Sequence, residues 1–349
     1  MYNRGMAEGK TEMTLYSSFG DFDEAAWNRL ASKSAAKGPF LQYGYLKNWW
    51  EHRGGGEWPQ DAELFLLSFN KDSLAVIAPF FRVNEEGISS LYLLGAVEIS
   101  DYLDLIGPEE IIGEMALDFL QFLEKDAYKG IEKVILVNVP ETSPSLPALE
   151  EAAKKSGWEI QSERASSTPS VDLPESWEDY LNLLEEKDAQ EIRRKESKLA
   201  EDAQSVELVF TEQKSRLGQD FETFLELMAM DRRKEKFLAG SMRDQQRATA
   251  NWSFETGILQ LSFLEINGEK ASGYFCFDDG GTVYVYNSGF DPKFSMYSPG
   301  WVHLTRLIRH CIEAGRQVFD FMRGDEEYKY QFGGKNSYVM RAELSRNAG

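Results

Sequence analysis

Set against itself at an offset of 194 residues, the chain repeats. Leu67, Ser68, Phe69, Phe81, Gly87, Tyr92 and Gly95 meet Leu261, Ser262, Phe263, Phe275, Gly281, Tyr286 and Gly289. Around these residues the order of local signals is also the same. In the first copy, 64–69 and 74–83 read as strands across the turn Asn70-Lys71-Asp72. A third strand over 88–94, a helix over 109–125 and a strand over 134–139 follow. In the second, 258–266, 270–277 and 282–290 alternate, joined by Asn267-Gly268 and Asp279-Gly280-Gly281. Asn-Gly is a hairpin signal because both residues tolerate the left-handed backbone of a two-residue turn. Pro299 then opens a helix with Ser298 as its expected cap, Gly315 stops it, and 318–322 is a further strand. A meander, a helix and a strand, met twice, predict an internal duplication.

Length agrees, since 349 residues exceed one ordinary core and suit two α/β domains. The Ser- and Pro-rich stretch 165–174 is the expected linker, giving domains over 13–170 and 171–349. Helices are expected over 22–37, 43–52 and 146–156 in the first, the last closed by Gly157. In the second they are expected over 177–203 and 220–236. Acidic residues outnumber basic ones 58 to 38, a net charge of −20, which opposes broad, non-specific binding to nucleic acid. Two cysteines, Cys276 and Cys311, lie in apolar segments and read as buried thiols. With three histidines no metal site is expected, although His303 and His310 are seven apart on one helix. No apolar run is long enough to cross a membrane, and the N-terminal MYNRGMAEGKTEMT lacks a signal-type apolar region, so a cytoplasmic protein without membrane insertion is expected.

Three motif blocks stand out: PFLQYGYLKNWWEH with LYLLGAVEISDYLDLIGPEE, the charged WEDYLNLLEEKDAQEIRRKESKLAED, and VYVYNSGFDPKFSMYSPG followed by FDFMRGDEEYKYQFGG. Together they resemble the acetyltransferase-like family associated with cellulose and other exopolysaccharide clusters. That family is similar to the Fem-type peptidyltransferases built from two GNAT-like domains. The resemblance spans roughly 40–334. It implies two tandem GNAT-like domains, each a mixed, largely antiparallel sheet flanked by helices. It also implies an acyltransferase using acyl-CoA (acetyl-CoA) as co-substrate and a small-molecule or saccharide acceptor. Aminoacyl-tRNA is the alternative donor, and a non-catalytic role in a polysaccharide assembly is the third reading.

In a GNAT-like domain the thioester would lie along a splayed strand pair and the pyrophosphate at a helix N-terminus, where amide protons lack acceptors. Here that implies Tyr286 and Ser288 on the strand and Ser298, Gly300 and Trp301 at the helix start as the acyl-CoA site. The RGDEEYKYQFGG segment leaves the sheet at a strand end. Within it Asp325 could serve as general base, Lys329 as oxyanion stabiliser, and Tyr328 or Tyr330 as proton donor, with Arg323 holding a carboxylate or phosphate. A helix capped by Asp325, with a surface bridge between Arg323 and Asp325, is the plain alternative. Tyr328-Lys329 before Phe332-Gly333 also resembles the aromatic-Lys pair near the Fem-type transfer centre. In SDYLD, Asp101 and Asp104 around Tyr102 could bind an amine acceptor or simply make a turn. Trp49 and Trp50 could stack on a sugar, or one could be core. Arg193, Arg194, Lys195 and Lys198, like Arg232, Arg233, Lys234 and Lys236, read as solvated helix faces.

Overall fold

The computed structural model describes residues 11–71 and 73–346, and most of the N-terminal stretch read for a signal lies outside them. The chain forms two compact units, one reaching Ala165 and taking back the segment from Tyr338, the other Ser166–Ser337. In the first unit the order is β1 (Thr11–Tyr16), α1 (Glu24–Ala31), α2 (Tyr43–Glu51), the single turn α3 (Arg53–Gly56), β2 (Glu63–Lys71), β3 (Ser73–Glu85) and β4 (Ile88–Leu93). Then come α4 (Glu109–Leu123), β5 (Ile131–Pro140), α5 (Ser145–Ser156) and β6 (Trp158–Ser167). The second unit holds β7 (Ser170–Asp172), α6 (Trp177–Leu183), α7 (Glu186–Asp202), β8 (Val206–Phe210), α8 (Lys214–Ala229), α9 (Arg232–Phe237) and α10 (Met242–Glu255). Its remaining elements are β9 (Leu259–Ile266), β10 (Glu269–Asp278), β11 (Thr282–Phe290), α11 (Pro299–Glu313), β12 (Val318–Asp320) and α12 (Glu327–Gln331). The last strand is β13 (Tyr338–Arg346).

The two sheets share a plan. One runs β1-β2-β3-β4-β5-β13-β6 and the other β7-β12-β11-β10-β9-β8. In each, an antiparallel meander ends in a strand that pairs parallel with the strand after the crossover helix: β4 with β5, and β11 with β12. The Asn267-Gly268 turn is left-handed at both residues, with φ of 54° and 80°, as its hairpin requires. Phe81 faces Tyr92 across β3 and β4 with ring centroids 5.7 Å apart, and Phe275 meets Tyr286 across β10 and β11 at 5.2 Å. The repeat read from the sequence is therefore a repeated aromatic cross-strand pair.

The structure departs from expectation at the seams. The second unit does not keep the C-terminal segment to 349. β13 lies in the first sheet beside β5, where Val339, Ala342 and Leu344 are buried against it. β7 occupies the corresponding place beside β12. The expected helix 177–203 is two helices, because Leu184 is extended (φ −80°, ψ 159°) between α6 and α7. The helix expected over 220–236 starts earlier, at Lys214, and is broken at Asp231, whose carboxylate caps α9 by accepting from the Arg233 and Lys234 amides. β1, β8 and α10 were not read from the sequence. α10 buries Gln245, Gln246, Thr249 and Ser253, so its inward face is polar and gives no apolar period.

The core between the second sheet and α11 contains Cys276 and Cys311, both free, buried and in one apolar cluster. Burial pushes the Cys311 thiol up to about 12 and Cys276 well above its ordinary value. His303 is also fully buried. Its Nδ1 and Nε2 lie 2.9 Å from the hydroxyls of Ser272 and Ser262. Ser272 also donates to the Pro299 carbonyl, so Nδ1 carries the proton and Nε2 accepts from Ser262. Burial lowers this imidazole to about 3, and it is a neutral bridge tying the start of α11 to β9 and β10.

Candidate acyl-transfer site in the second unit

β11 and β12 run together for three pairs only, Thr282 with Val318 through Tyr284 with Asp320. Beyond that point they separate, and the cause is local. After β12 the Phe321 and Gly324 amides donate to the carbonyls of Pro169 and Ser167, so the chain follows the approach to β7 instead of β11. Met322 makes the turn with φ 62° while its amide donates to Asp320 (2.7 Å). Lys329 donates to the carbonyls of Met322, Arg323 and Gly324, the last of which also accepts from the Ser167 hydroxyl at 3.3 Å. Its buried Nζ lies 3.1, 2.7 and 3.4 Å from those oxygens and 2.9 Å from the Glu326 carboxylate.

On the other side of the gap β11 carries a bulge. Phe275 pairs with Asn287 and Cys276 with Val285, leaving Tyr286 as the extra residue. Tyr286 packs on Phe275 and Phe277, while Val285 belongs to the core cluster beneath α11. The bulge thus returns Ser288, opposite Tyr274, to the α11 face. At Gly289 a Cβ would stand 2.4–2.7 Å from the backbone of Leu227 and Met228, so glycine is what lets α8 close on β11.

Between the splayed part of β11, the start of α11 and α12 lies a cavity of about 260 Å³. It is lined by Ser288, Gly289, Gly300, Trp301, Tyr328 and Phe332, with Tyr274, Phe290 and Leu304. The Trp301 indole N–H has no acceptor. Tyr328 offers a hydroxyl that burial, and then Glu326, hold above the usual phenol range, so it stays protonated. Tyr274 donates to the Gly300 carbonyl at 3.1 Å. Lys195, read as part of a solvated face, instead lies over the Trp301 ring at 4.0 Å.

Four residues read from the sequence therefore meet in one cavity: Ser288, Gly300, Trp301 and Tyr328. The others stand elsewhere. Tyr286 faces away from the cavity among Phe275 and Phe277. Ser298 precedes α11 in a left-handed conformation (φ 50°) and its side chain makes no cap bond; its carbonyl accepts from both Trp301 and Val302 amides. Pro299 has no N–H, so the helix start offers the Gly300 amide alone rather than a nest of donors. Lys329 is committed to three carbonyls and a carboxylate. Asp325 is exposed, accepting from Tyr330, whose hydroxyl oxygen also lies 2.9 Å from the Asn336 side chain. Arg323 is half-buried at the turn and contributes its carbonyl to Lys329.

In the first unit Asp104 is buried and accepts from Ser143 (2.6 Å), Ser145 and the Leu105 amide (2.8 Å). Burial lifts its carboxyl to about 6 against the pull of those bonds, and an acceptor amine has no open oxygen to meet. Tyr102 is buried near Phe40, and Asp101 is half-buried in the same loop. Trp49 is core, and Trp50 lies under the Arg53 guanidinium at 3.6 Å. Sequence reading missed Tyr274 and Lys234. Tyr274 was missed because the bulge at Tyr286 sets it opposite Ser288, where an unbulged register would set it opposite Asn287, and Lys234 sat in what looked like a solvated run.

Two mixed sheets of one plan, a splayed parallel pair and a crossover helix beginning at its mouth define a tandem GNAT-like fold. Residues 186–330 match the family model described as an acetyltransferase (GNAT) domain. No curated protein matches the chain in sequence. Among solved structures, FemX is similar with a TM-score of 0.63 and 11% identity, over 92% of this chain and 96% of that one. A conserved protein of unknown function from Bacteroides thetaiotaomicron VPI-5482 gives 0.60 and 12%, over 96% and 100%. L-PGS from Bacillus licheniformis gives 0.53 and 11%, over 94% and 93%. At these identities the likeness is one of fold. No helix among the described residues is long and apolar enough to cross a membrane.

Proposed function

We propose that the chain is an acyltransferase that moves an acyl group from acyl-CoA to an amine or hydroxyl of a small molecule or saccharide. The cavity beside the splayed end of β11 supports this most directly. It sets an open strand edge, a helix start and a protonated phenol around a space that fits a short acyl chain with part of its thiol carrier. In this reading the acyl group lies along Ser288 and Gly289, with Phe290 and Phe332 excluding water. The Trp301 N–H and the Gly300 amide are the donors left for the carrier's polar groups. Tyr328 gives its proton to the departing thiolate. A direct attack needs no covalent enzyme intermediate, and both cysteines are too deeply buried and too firmly protonated to serve as nucleophiles. A place in exopolysaccharide or cell-envelope synthesis is the wider setting we propose.

One observation favours a second donor. With Pro299 lacking an N–H and the Trp301 amide turned onto Ser298, the helix start offers little to a pyrophosphate, which suits an aminoacyl ester as donor better than CoA. The test is calorimetric titration of acetyl-, succinyl- and longer acyl-CoAs, followed by release of free thiol in the presence of amine and sugar acceptors. Binding of one CoA thioester and an about hundredfold slower turnover in Tyr328→Phe, at unchanged melting temperature, are expected. No heat with any CoA thioester, together with transfer from charged tRNA, would replace CoA by the aminoacyl donor.

A further inference from the structure

Lys234 belongs to α9, yet its ammonium leaves that helix and ends at the open edge of β11. Its Nζ lies 3.0 Å from Asn287 Oδ1 and also donates to the Ser288 carbonyl. The Ser288 amide in turn donates to the same Asn287 oxygen at 3.0 Å. Both main-chain groups of Ser288 therefore face the gap that β12 vacates, and Lys234 stands in that gap, bonded to a residue of the cavity wall. Its two acceptors are neutral, and no carboxylate lies within ion-pairing distance of it among the described residues. A neutral amine has two N–H groups, which these acceptors use, and one lone pair, which remains for a third partner. An ammonium in this place would be a half-buried charge with no carboxylate in ion-pairing range, a form that loss of solvent disfavours.

We propose that Lys234 is the base that takes the proton of the attacking acceptor, a role that rests on the acyl-transfer reading above. The acceptor nitrogen or oxygen forms its bond to the acyl carbon while its proton passes to Nζ. The tetrahedral oxyanion then collapses, the carbon–sulfur bond breaks, and the thiolate takes the Tyr328 proton. Transfer from the Lys234 ammonium to the tyrosinate restores both groups, so the sum is acceptor plus thioester giving acylated acceptor plus thiol. This assigns to Lys234 a place in the chemistry that Lys329, with its protons committed, does not fill. The charges that face Lys234 are Asp231 and Arg233 of its own helix and Glu326 beyond β12. Burial, the largest influence, holds its proton affinity below that of an ordinary lysine, while Asp231 and Glu326 oppose it.

Competitive acetylation of the whole protein with acetic anhydride, from about pH 6 to about pH 11 and read by mass spectrometry, gives each lysine its own titration. Lys234 is expected to reach half reactivity well below the ordinary lysine range. With a working donor, Lys234→Met and Lys234→Arg are both expected to lower kcat by about 10²–10³, and the acidic limb of the kcat/KM profile should disappear in Lys234→Met. The arginine variant is decisive, because it keeps the charge and the donors and cannot accept a proton. Turnover of Lys234→Arg within about threefold of wild type would overturn the role, as would a Lys234 that titrates in the ordinary lysine range in a protein that does transfer acyl groups. Wild-type protein inert with every donor would instead overturn the acyl-transfer reading, and this role with it.

Discussion

Two neighbouring residues of α12 show how adjacent polar side chains can have opposite duties. Lys329 is buried with its donors spent on the carbonyls of the turn after β12, and Tyr328 next to it lines the cavity with its hydroxyl protonated. Removing the ammonium takes the donor from the buried Met322 carbonyl, which costs about 1–3 kcal/mol when left unpaired. Lys329→Met should therefore lower unfolding stability by at least that amount in urea titrations, with the loss seen in the apoprotein. Asp325→Asn, at an exposed site, should change stability by less than about 1 kcal/mol. A Lys329→Met protein as stable as wild type would return that lysine to the list of groups available for chemistry. The sequence placed guanidinium, carboxylate, phenol and ammonium within seven residues. It did not reveal which would be spent on the backbone, because that depends on where the carbonyls of Met322–Gly324 point.

At the scale of elements, the meander, the crossover helix and their repetition were legible because they rest on local signals. Asn267-Gly268 turns the hairpin, Pro299 and Gly315 bracket α11, and period-two alternation marks β9 to β11. The splay was not legible, since it arises after β12, where the Phe321 and Gly324 amides bond to Pro169 and Ser167, partners far away in the chain, instead of continuing along β11. The bulge at Tyr286 was hidden for the same reason: one extra residue reverses the face of everything after it, so a strand read by alternation puts Tyr286 on the wrong side. Gly289 is where α8 and β11 meet backbone to backbone. Gly289→Ala would have to displace Leu227 and Met228, and overpacking of this kind costs about 1–3 kcal/mol. The same shift would widen the cavity floor. We expect a lowered urea midpoint and weakened donor binding together in Gly289→Ala, and an unchanged urea midpoint in Gly300→Ala, where the nearest atom to a new Cβ is 4.0 Å away.

For the whole molecule, two buried titratable groups give the units opposite responses to acid. His303 in the second unit titrates at about 3 folded, against about 6.5 unfolded, so between those values the unfolded chain binds more protons. Its contribution is complete above about pH 6.5 and is lost as pH falls toward 3. Asp104 in the first unit titrates at about 6 folded, against about 3.9 unfolded, so there the folded chain binds more protons. Its contribution is present below about pH 4 and is lost as pH rises toward 6. At 1.36 kcal/mol per pH unit of displacement, the two effects are roughly 3–5 and 2–3 kcal/mol, of opposite sign over the shared window. Lowering the pH from about 6.5 to about 4 should therefore weaken Ser166–Ser337 while supporting the other unit. Calorimetry across that range, on wild type, His303→Gln and Asp104→Asn, reads both. His303→Gln should flatten the acid-side loss, and Asp104→Asn should remove the opposing gain. Parallel pH profiles in all three proteins would mean that neither group is held in the protonation state its burial demands.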